Sequence, residues 1–133
     1  MQPFRTPRAQ RSRADRRLAL SRGARAEWIA LLALMLRGWR PVARRYRAPG
    51  GEIDLVVRRG DVVAFVEVKA RAHLDDAELA ITAEKRRRIA RAVNHWLVRN
   101  PWAQAGWSLR LDAVFVGRGR WPRHVEGAWE MGA

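Results

Sequence analysis

The sequence has 133 residues, which suffices for one compact domain and is too short for two comfortable cores. Hydrophobic residues make up 48% of it, which excludes a disordered chain, and the lack of cysteine excludes disulfides and thiolate zinc sites. The 27 lysines and arginines, nearly all arginine, oppose 13 acidic residues, for a net charge of +14. Because guanidinium groups match phosphate oxygens, nucleic acid is the favoured partner, ahead of an anionic membrane surface.

The N-terminal residues 1–22 contain seven arginines, one acid and two prolines, which predicts a flexible basic arm. The arm is equally well explained as a solvated tail or as a source of extra phosphate contacts. Residues 23–133 are expected to form a single α/β domain. No signal peptide is recognisable, and the longest apolar run, residues 28–36, is too short to cross a bilayer. We therefore expect a cytoplasmic protein without membrane attachment.

Hydrophobic periodicity predicts the element order α-β-β-β-α-β, one mixed sheet flanked by helices. The first helix, 24–36, has a large apolar stripe that is expected to face the core: Trp28, Leu31, Leu32, Met35 and Leu36. Strands follow at 41–47, 52–58 and 62–70. Thr82 can cap a second helix that ends near Arg99, before Asn100-Pro101, and whose apolar face includes Trp96. A strand at 108–116 precedes a segment, 121–129, that adds an edge strand or covers the core.

The hairpin between the second and third strands determines which polar side chains meet. Side chains alternate along a strand, so Glu67, Lys69 and Arg71 share one face of the third strand. With Arg59 and Gly60 as the central turn residues, Glu67 lies diagonal to Asp54, and their carboxylates can converge. A turn longer by one residue would place them on opposite faces.

Two converging carboxylates need a counter-charge, and Mg²⁺ is a natural one because it prefers oxygen ligands. Such an ion can polarise a phosphodiester, and Lys69 beside it can stabilise the developing charge. From spacing alone, however, a solvated lattice of Glu and Lys on a sheet surface explains the same residues better.

Two charges near the predicted core favour the polar site over that lattice. Glu27 lies at the edge of the apolar stripe of the first helix, and Lys85 precedes Ile89 on the apolar face of the second. A cation at a helix N-terminus opposes the helix dipole, so Lys85 needs a reason to be there. Each charge also has an alternative explanation. Glu27 favours the start of a helix, and Lys85 can extend its ammonium group past the apolar face into solvent.

Several short blocks follow one another in a recognisable order: Gly51-Glu52-Ile53-Asp54, Phe65-Val66-Glu67-Val68-Lys69-Ala70-Arg71, and Arg110-Leu111-Asp112. With Glu27, Gly38-Trp39, Thr82 and Lys85, they resemble the small bacterial YraN-like proteins of the PD-(D/E)XK nuclease superfamily. The resemblance covers residues 22–129. Archaeal Holliday-junction resolvases are functional relatives within that superfamily.

The resemblance implies a restriction endonuclease-like core and Mg²⁺-dependent hydrolysis of nucleic acid, with Mn²⁺ as an alternative ion. Carried over by position, Asp54, Glu67 and Glu27 are expected to bind metal and to act in catalysis, and Lys69 to be the catalytic lysine. Asp112 is interpreted as structural. Resolvase-like relatives also imply a homodimer that could present two sites to branched DNA.

A basic face of the second helix is expected beside this site. Together with the third strand it provides the candidate nucleic-acid contacts Arg71, Lys85, Arg86, Arg87, Arg88 and Arg91. The leading hypothesis is an endonuclease acting on DNA. The alternative is a binding module of nuclease fold that performs no chemistry, and membrane attachment through the arm ranks last.

Overall fold

The computed structural model describes residues 23–70 and 82–130, so the predicted basic arm and Arg71 lie outside the described residues. The helical residues 23–36 form α1. The strands that follow are β1 (Arg40–Ala48), β2 (Gly51–Arg59) and β3 (Val62–Ala70). Next come α2 (Ala83–Arg99), a short 3-10 helix (Pro101–Gln104), β4 (Ser108–Val116) and β5 (Arg123–Val125). The predicted α/β order is confirmed, with β5 as the added edge strand.

The five strands form one mixed sheet in the order β1-β2-β3-β4-β5. Neighbouring strands are antiparallel except β3 and β4, which are parallel and are connected through α2. Within the described part of the chain, no helix combines the length and apolar character that a membrane span requires.

The two helices cover opposite faces of the sheet. Ile89, Val93 and Trp96 of α2 pack in one buried cluster with Val63 and Phe65. On the other face, α1 packs on the intervening residues of β3, Ala64 and Val66. Because successive side chains of a strand point to opposite faces, β3 contributes to both cores and is nearly all apolar.

Local signals position α2 as expected. The Thr82 hydroxyl accepts a hydrogen bond from the Lys85 backbone N–H at 3.1 Å, and Asn100 caps the C-terminus immediately before Pro101. Gly51 lies directly under this helix: a Cβ there would come within 1.9 Å of the Arg88 carbonyl oxygen. Glycine at position 51 therefore permits α2 to pack closely on β2.

The predicted core face of α1 is wrong except at Leu31, which is buried as expected. Trp28, Leu32, Met35 and Leu36 are exposed, whereas the buried face consists of Ala26, Glu27, Ala30, Leu31, Ala33 and Leu34. The helix carries two apolar stripes, and the stripe of small residues faces the sheet because alanines let the two backbones approach closely. Trp28 instead lies under the Arg44 guanidinium, 4.4 Å from the ring centre.

The predicted hairpin register is also wrong, although its consequence for the site survives. Arg59 pairs with Val62, so Gly60 and Asp61 are the central turn residues. The partner of each β2 residue therefore moves by two along β3 relative to the prediction. Because a shift of two residues preserves the face, Asp54 and Glu67 remain on the same face.

Candidate active site

The polar site lies where β2 and β3 separate. Their pairing ends at Leu55 and Val66, and the same register continued by one residue brings Asp54 opposite Glu67. Instead of a backbone partner, the Val68 N–H donates to Asp54 Oδ2 at 2.8 Å. A side chain thus replaces a ladder hydrogen bond, and Asp54 is held at the opening between the two strands.

Asp54 is the carboxyl group most strongly perturbed by this arrangement. Burial and then the nearby charge of Glu67 raise its pKa from 3.8 to about 7, against a smaller lowering by the Val68 N–H. Glu27 adds to the rise, and Lys85 opposes it. Burial and the negative charge of Glu67 therefore both disfavour ionisation of Asp54, and a cation bound beside it would favour ionisation.

Glu67 is buried and pairs with the lysine predicted near it. Its side chain is 8% exposed, and Oε1 lies 2.9 Å from Lys85 Nζ on the first turn of α2. Burial lowers the pKa of Lys85, but the hydrogen bond and charge of Glu67 outweigh it, so the net shift is upward. Lys85 is therefore a charged partner of Glu67, which explains a cation at this helix start.

Glu27 reaches the same region from α1 but is bound by arginines. Its Oε1 accepts a hydrogen bond from Arg45 Nε at 2.6 Å and lies 3.6 Å from Arg44 Nη1. Arg45, on β1 opposite Asp54, has a positive φ of 52°, which is costly for a residue with a Cβ. A surface cavity of about 150 Å³ lies beside these groups. It is lined by Gly23, Glu27, Arg45, Arg47, Glu52, Ile53 and Asp54.

The predicted set of three metal-binding carboxylates is not assembled in this structure. Among residues 23–70 and 82–130, no group of three or more acidic or histidine side chains is arranged to hold a metal ion. Asp54 and Glu67 come together, whereas Glu27 is engaged by Arg45. Mg²⁺ usually binds one or two carboxylates and completes its shell with water and phosphate oxygens, so Asp54 and Glu67 fit that ion.

The predicted catalytic lysine lies on the strand that carries Glu67. Lys69 is half-buried, two residues beyond Glu67 and therefore on the same face of β3. It forms no ion pair with a carboxylate of the described residues, in contrast to Lys85, which is paired with Glu67.

The arginines of α2 divide into different environments. Arg87 and Arg88 are exposed, whereas Arg86 is half-buried, with an Nε that has no hydrogen-bond partner among the described residues. Arg91 is exposed and lies beside Gly50 at the turn between β1 and β2. Arg87, Arg88 and Arg91 are thus available for phosphate contacts, while Lys85 is committed to Glu67.

Asp112 is fully buried and belongs to a separate cluster. Its carboxylate accepts two hydrogen bonds from Arg110, at 2.8 and 2.9 Å, one from Gly127 N–H, and contacts His124 Nε2 at 2.7 Å. Burial would raise the pKa of Asp112, but His124 and then Arg110 and Gly127 lower it below its usual value. This geometry ties β4 to β5 and to the segment that follows it.

Arg45 is the residue of this site that the sequence did not indicate. It follows another arginine in a basic strand, and neither its positive φ nor its bond to Glu27 has a local sequence signal. Only the proximity of α1 to β1 brings the two together.

These observations define an α/β protein with a carboxylate-lysine site at the opening of a sheet. Its sequence matches the family described as "Uncharacterised protein family UPF0102" over residues 26–116, and the chain belongs to that family. A UPF0102 protein of Methylorubrum extorquens is 60% identical over 118 residues, covering 89% of this chain and 91% of the relative. A UPF0102 protein of Mesorhizobium japonicum is 52% identical over 124 residues, covering 91% and 96% respectively.

Proposed function

We propose that this protein is a metal-dependent phosphodiesterase that acts on DNA and falls within the PD-(D/E)XK superfamily. The observation that carries the proposal is the pairing of Asp54 with Glu67 at the strand opening, where the pKa of Asp54 rises to about 7. A divalent cation bound there would stabilise the ionised form of Asp54 against burial and against the charge of Glu67. The pattern of Asp54 followed by Glu67-Val68-Lys69 on adjacent strands supports the superfamily placement.

In this proposal Asp54 and Glu67 hold Mg²⁺ or Mn²⁺. When bound, the ion supplies Lewis acidity toward a phosphodiester and lowers the pKa of an attacking water. Lys69 orients that water or donates to the phosphate oxygen on which charge develops. Glu27 joins the site only after releasing Arg45, and Arg87, Arg88 and Arg91 position the phosphate backbone.

The test is cleavage of labelled single-stranded, duplex, flap and four-way-junction DNA with Mg²⁺, with Mn²⁺ and with EDTA. We expect metal-dependent cleavage that Glu67→Gln abolishes. Glu84→Gln is the matched control, because Glu84 is an exposed carboxylate next to Lys85 on α2. Lys69→Met should abolish cleavage while Mn²⁺ binding, measured by calorimetry, persists. Cleavage unchanged in Glu67→Gln would refute the assignment.

A second candidate function, nucleic-acid binding without cleavage, is favoured by one observation. Glu67 and Glu27 already have cationic partners within the protein, Lys85 and Arg45, as expected of carboxylates with a structural role. Tight binding with no cleavage of any of the four substrates, with either ion, would support this function.

We also propose a homodimer that acts in the cytoplasm. The exposed apolar side chains of α1, Trp28, Ile29, Leu32, Met35 and Leu36, support self-association because soluble proteins rarely leave such a patch uncovered. Sedimentation equilibrium of wild type and Leu32→Gln tests it: the wild type should be dimeric and the variant should dissociate more readily. A wild-type monomer at all concentrations would refute the dimer.

A further inference from the structure

A second pocket lies at the turn between β2 and β3, at the other end of these strands from Asp54 and Glu67. It has a volume of about 360 Å³ and is called here the hairpin pocket. The residues that line it include three arginines and no acidic residue: Gly38, Arg40, Arg58, Arg59, Gly60 and Trp107. No predicted site residue lies in it.

Two of its three guanidinium groups are held in place by aromatic rings. Arg59 lies 4.5 Å from the Trp39 ring centre and donates a hydrogen bond to the Arg37 carbonyl at 3.0 Å. Arg58 lies 5.9 Å from the ring centres of both Trp102 and Trp107. Side chains fixed in this way lose little conformational freedom when they bind an anion.

The indole wall of the pocket is itself anchored in the core. Edge-to-face contacts connect the rings in the sequence Trp107, Trp102, Trp96 and Phe65, with centre separations of 5.5, 5.8 and 5.4 Å. Trp96 and Phe65 are buried, whereas Trp102 is 38% exposed and Trp107 half-buried. A rigid aromatic surface therefore adjoins the positive charges.

The positive charge of the hairpin pocket is poorly balanced. Among the described residues, Glu126 is the one carboxylate within ion-pair distance of these arginines, at 3.9 Å from Arg59. Arg40 and Arg58 form no ion pair within the same part of the chain. Like charges focused in a pocket attract anions, and guanidinium groups match phosphate oxygens.

We propose that the hairpin pocket binds an unpaired nucleotide of a nucleic-acid strand. The phosphate lies among Arg40, Arg58 and Arg59, and the base packs against Trp107, since stacking on indole accepts any base. The choice of nucleic acid rests on the proposed function. Asp54 and Arg58 are four residues apart on β2, roughly 13 Å along the strand, so the pocket contacts the strand away from the cleavage site.

The test measures affinity of the full chain for fluorescein-labelled oligothymidylate by fluorescence anisotropy in EDTA, over a series of salt concentrations. Arg40→Gln should weaken binding and reduce the salt slope by about 0.7. Trp107→Leu should weaken binding at least about fivefold because base stacking is lost. The control is Arg123→Gln, which removes an exposed arginine from β5, at the opposite edge of the sheet. Thermal unfolding checks that each variant is folded.

Affinities of Arg40→Gln and Trp107→Leu equal to that of Arg123→Gln would overturn the inference. If wild-type cleavage persists in that case, the proposed function stands and only the hairpin pocket is refuted. If affinity falls as expected while no DNA is cut, the pocket stands and the catalytic proposal fails. If inorganic phosphate displaces the oligonucleotide as effectively as thymidine monophosphate does, the contact between the base and Trp107 is refuted.

Discussion

Asp54 connects the local backbone of β2 with the electrostatics of the site. It occupies the position where pairing with β3 stops, and its carboxylate accepts the N–H of Val68 that the ladder leaves without a backbone partner. This hydrogen bond fixes the carboxylate beside Glu67 and does not fully offset the effect of burial. One residue thus terminates a strand pair and places a second carboxyl group beside Glu67.

The pH dependence of stability should reveal Asp54. Its pKa is about 7 in the folded protein and about 3.8 when unfolded, so the folded state binds the proton more tightly. Without metal, the contribution of Asp54 to stability therefore falls as pH rises from about 4 to about 7. Asp54→Asn should remove this decline and raise the melting temperature at pH 8 in EDTA. If Asp54→Asn were as much less stable than the wild type at pH 8 as it is at pH 5, the prediction would be contradicted.

Lys85 should have a role in stability that a divalent ion can replace. Lys85→Met leaves the buried carboxylate of Glu67 without its partner and should cost about 1–2 kcal/mol, less than in a fully buried pair because the lysine is 40% exposed. If Asp54 and Glu67 bind Mg²⁺, the ion should raise the melting temperature of this variant more than that of the wild type.

Arg87→Met is the matched control for Lys85→Met, since Arg87 is exposed on the same helix. It should change the melting temperature little, with or without Mg²⁺. An equal response of wild type, Lys85→Met and Arg87→Met to Mg²⁺ would argue against an ion at Asp54 and Glu67.

At the scale of the elements, α2 is positioned by its contact with β2 as well as by its cap. The helix carries Lys85 at its first turn and the exposed arginines along its length, and it packs over Gly51 at the start of β2. The approach of these two backbones therefore sets where Lys85 meets Glu67.

Gly51→Ala should be strongly destabilising. The added methyl group would lie within 1.9 Å of the Arg88 carbonyl oxygen, so helix and strand must separate, at a cost of about 2–3 kcal/mol. Gly23→Ala is the control, since nothing lies within 4 Å of a Cβ there and a helix favours alanine over glycine. Equal stability of the two variants in urea denaturation would show that α2 does not pack this closely on β2.

At the scale of the whole molecule, the chain has a net charge of +14. Its described part contains two separate basic regions, and Asp54 and Glu67 lie at the opening between β2 and β3. Arg87, Arg88 and Arg91 extend along α2, and the hairpin pocket lies at the turn between β2 and β3. The proposed ion site lies at one end of β2 and β3, beside the start of α2, and the hairpin pocket lies at the other end of these strands. In the proposed function, a nucleic-acid strand is held by its phosphates at both basic regions.

Duplex DNA binding should depend steeply on salt. Each phosphate neutralised by the protein contributes about −0.9 to the slope of log K against log salt. The double variant Arg87→Gln, Arg88→Gln should make the slope less negative by up to about 1.8, without changing the relative affinities of different sequences. The control is the double variant Arg118→Gln, Arg123→Gln, which removes the same amount of charge from exposed arginines outside α2. Equal slopes for the two double variants would exclude α2 as the phosphate-binding surface.

The sequence alone determined the elements and most residues of the candidate site. Strict alternation brought Glu67 and Lys69 to one face of β3, and the cap at Thr82 located the start of α2. On β2 the predicted alternation breaks beside Asp54, because Ile53 packs with α2 whereas Leu55 packs with α1. The faces of β3 were predicted correctly even though the turn was not, because the error was an even number of residues. Side-chain periodicity is a local property, and it therefore survives errors in loops.

Only the tertiary structure decided which apolar stripe of α1 is buried and which partners the carboxylates have. Both stripes of α1 satisfy helical periodicity, and the choice depends on how closely alanines let the helix approach β2 and β3. The pairing of Glu27 with Arg45, the positive φ of Arg45 and the hairpin pocket each join residues distant in sequence. Contacts of that kind depend on the packing of whole elements, which no local pattern of residues encodes.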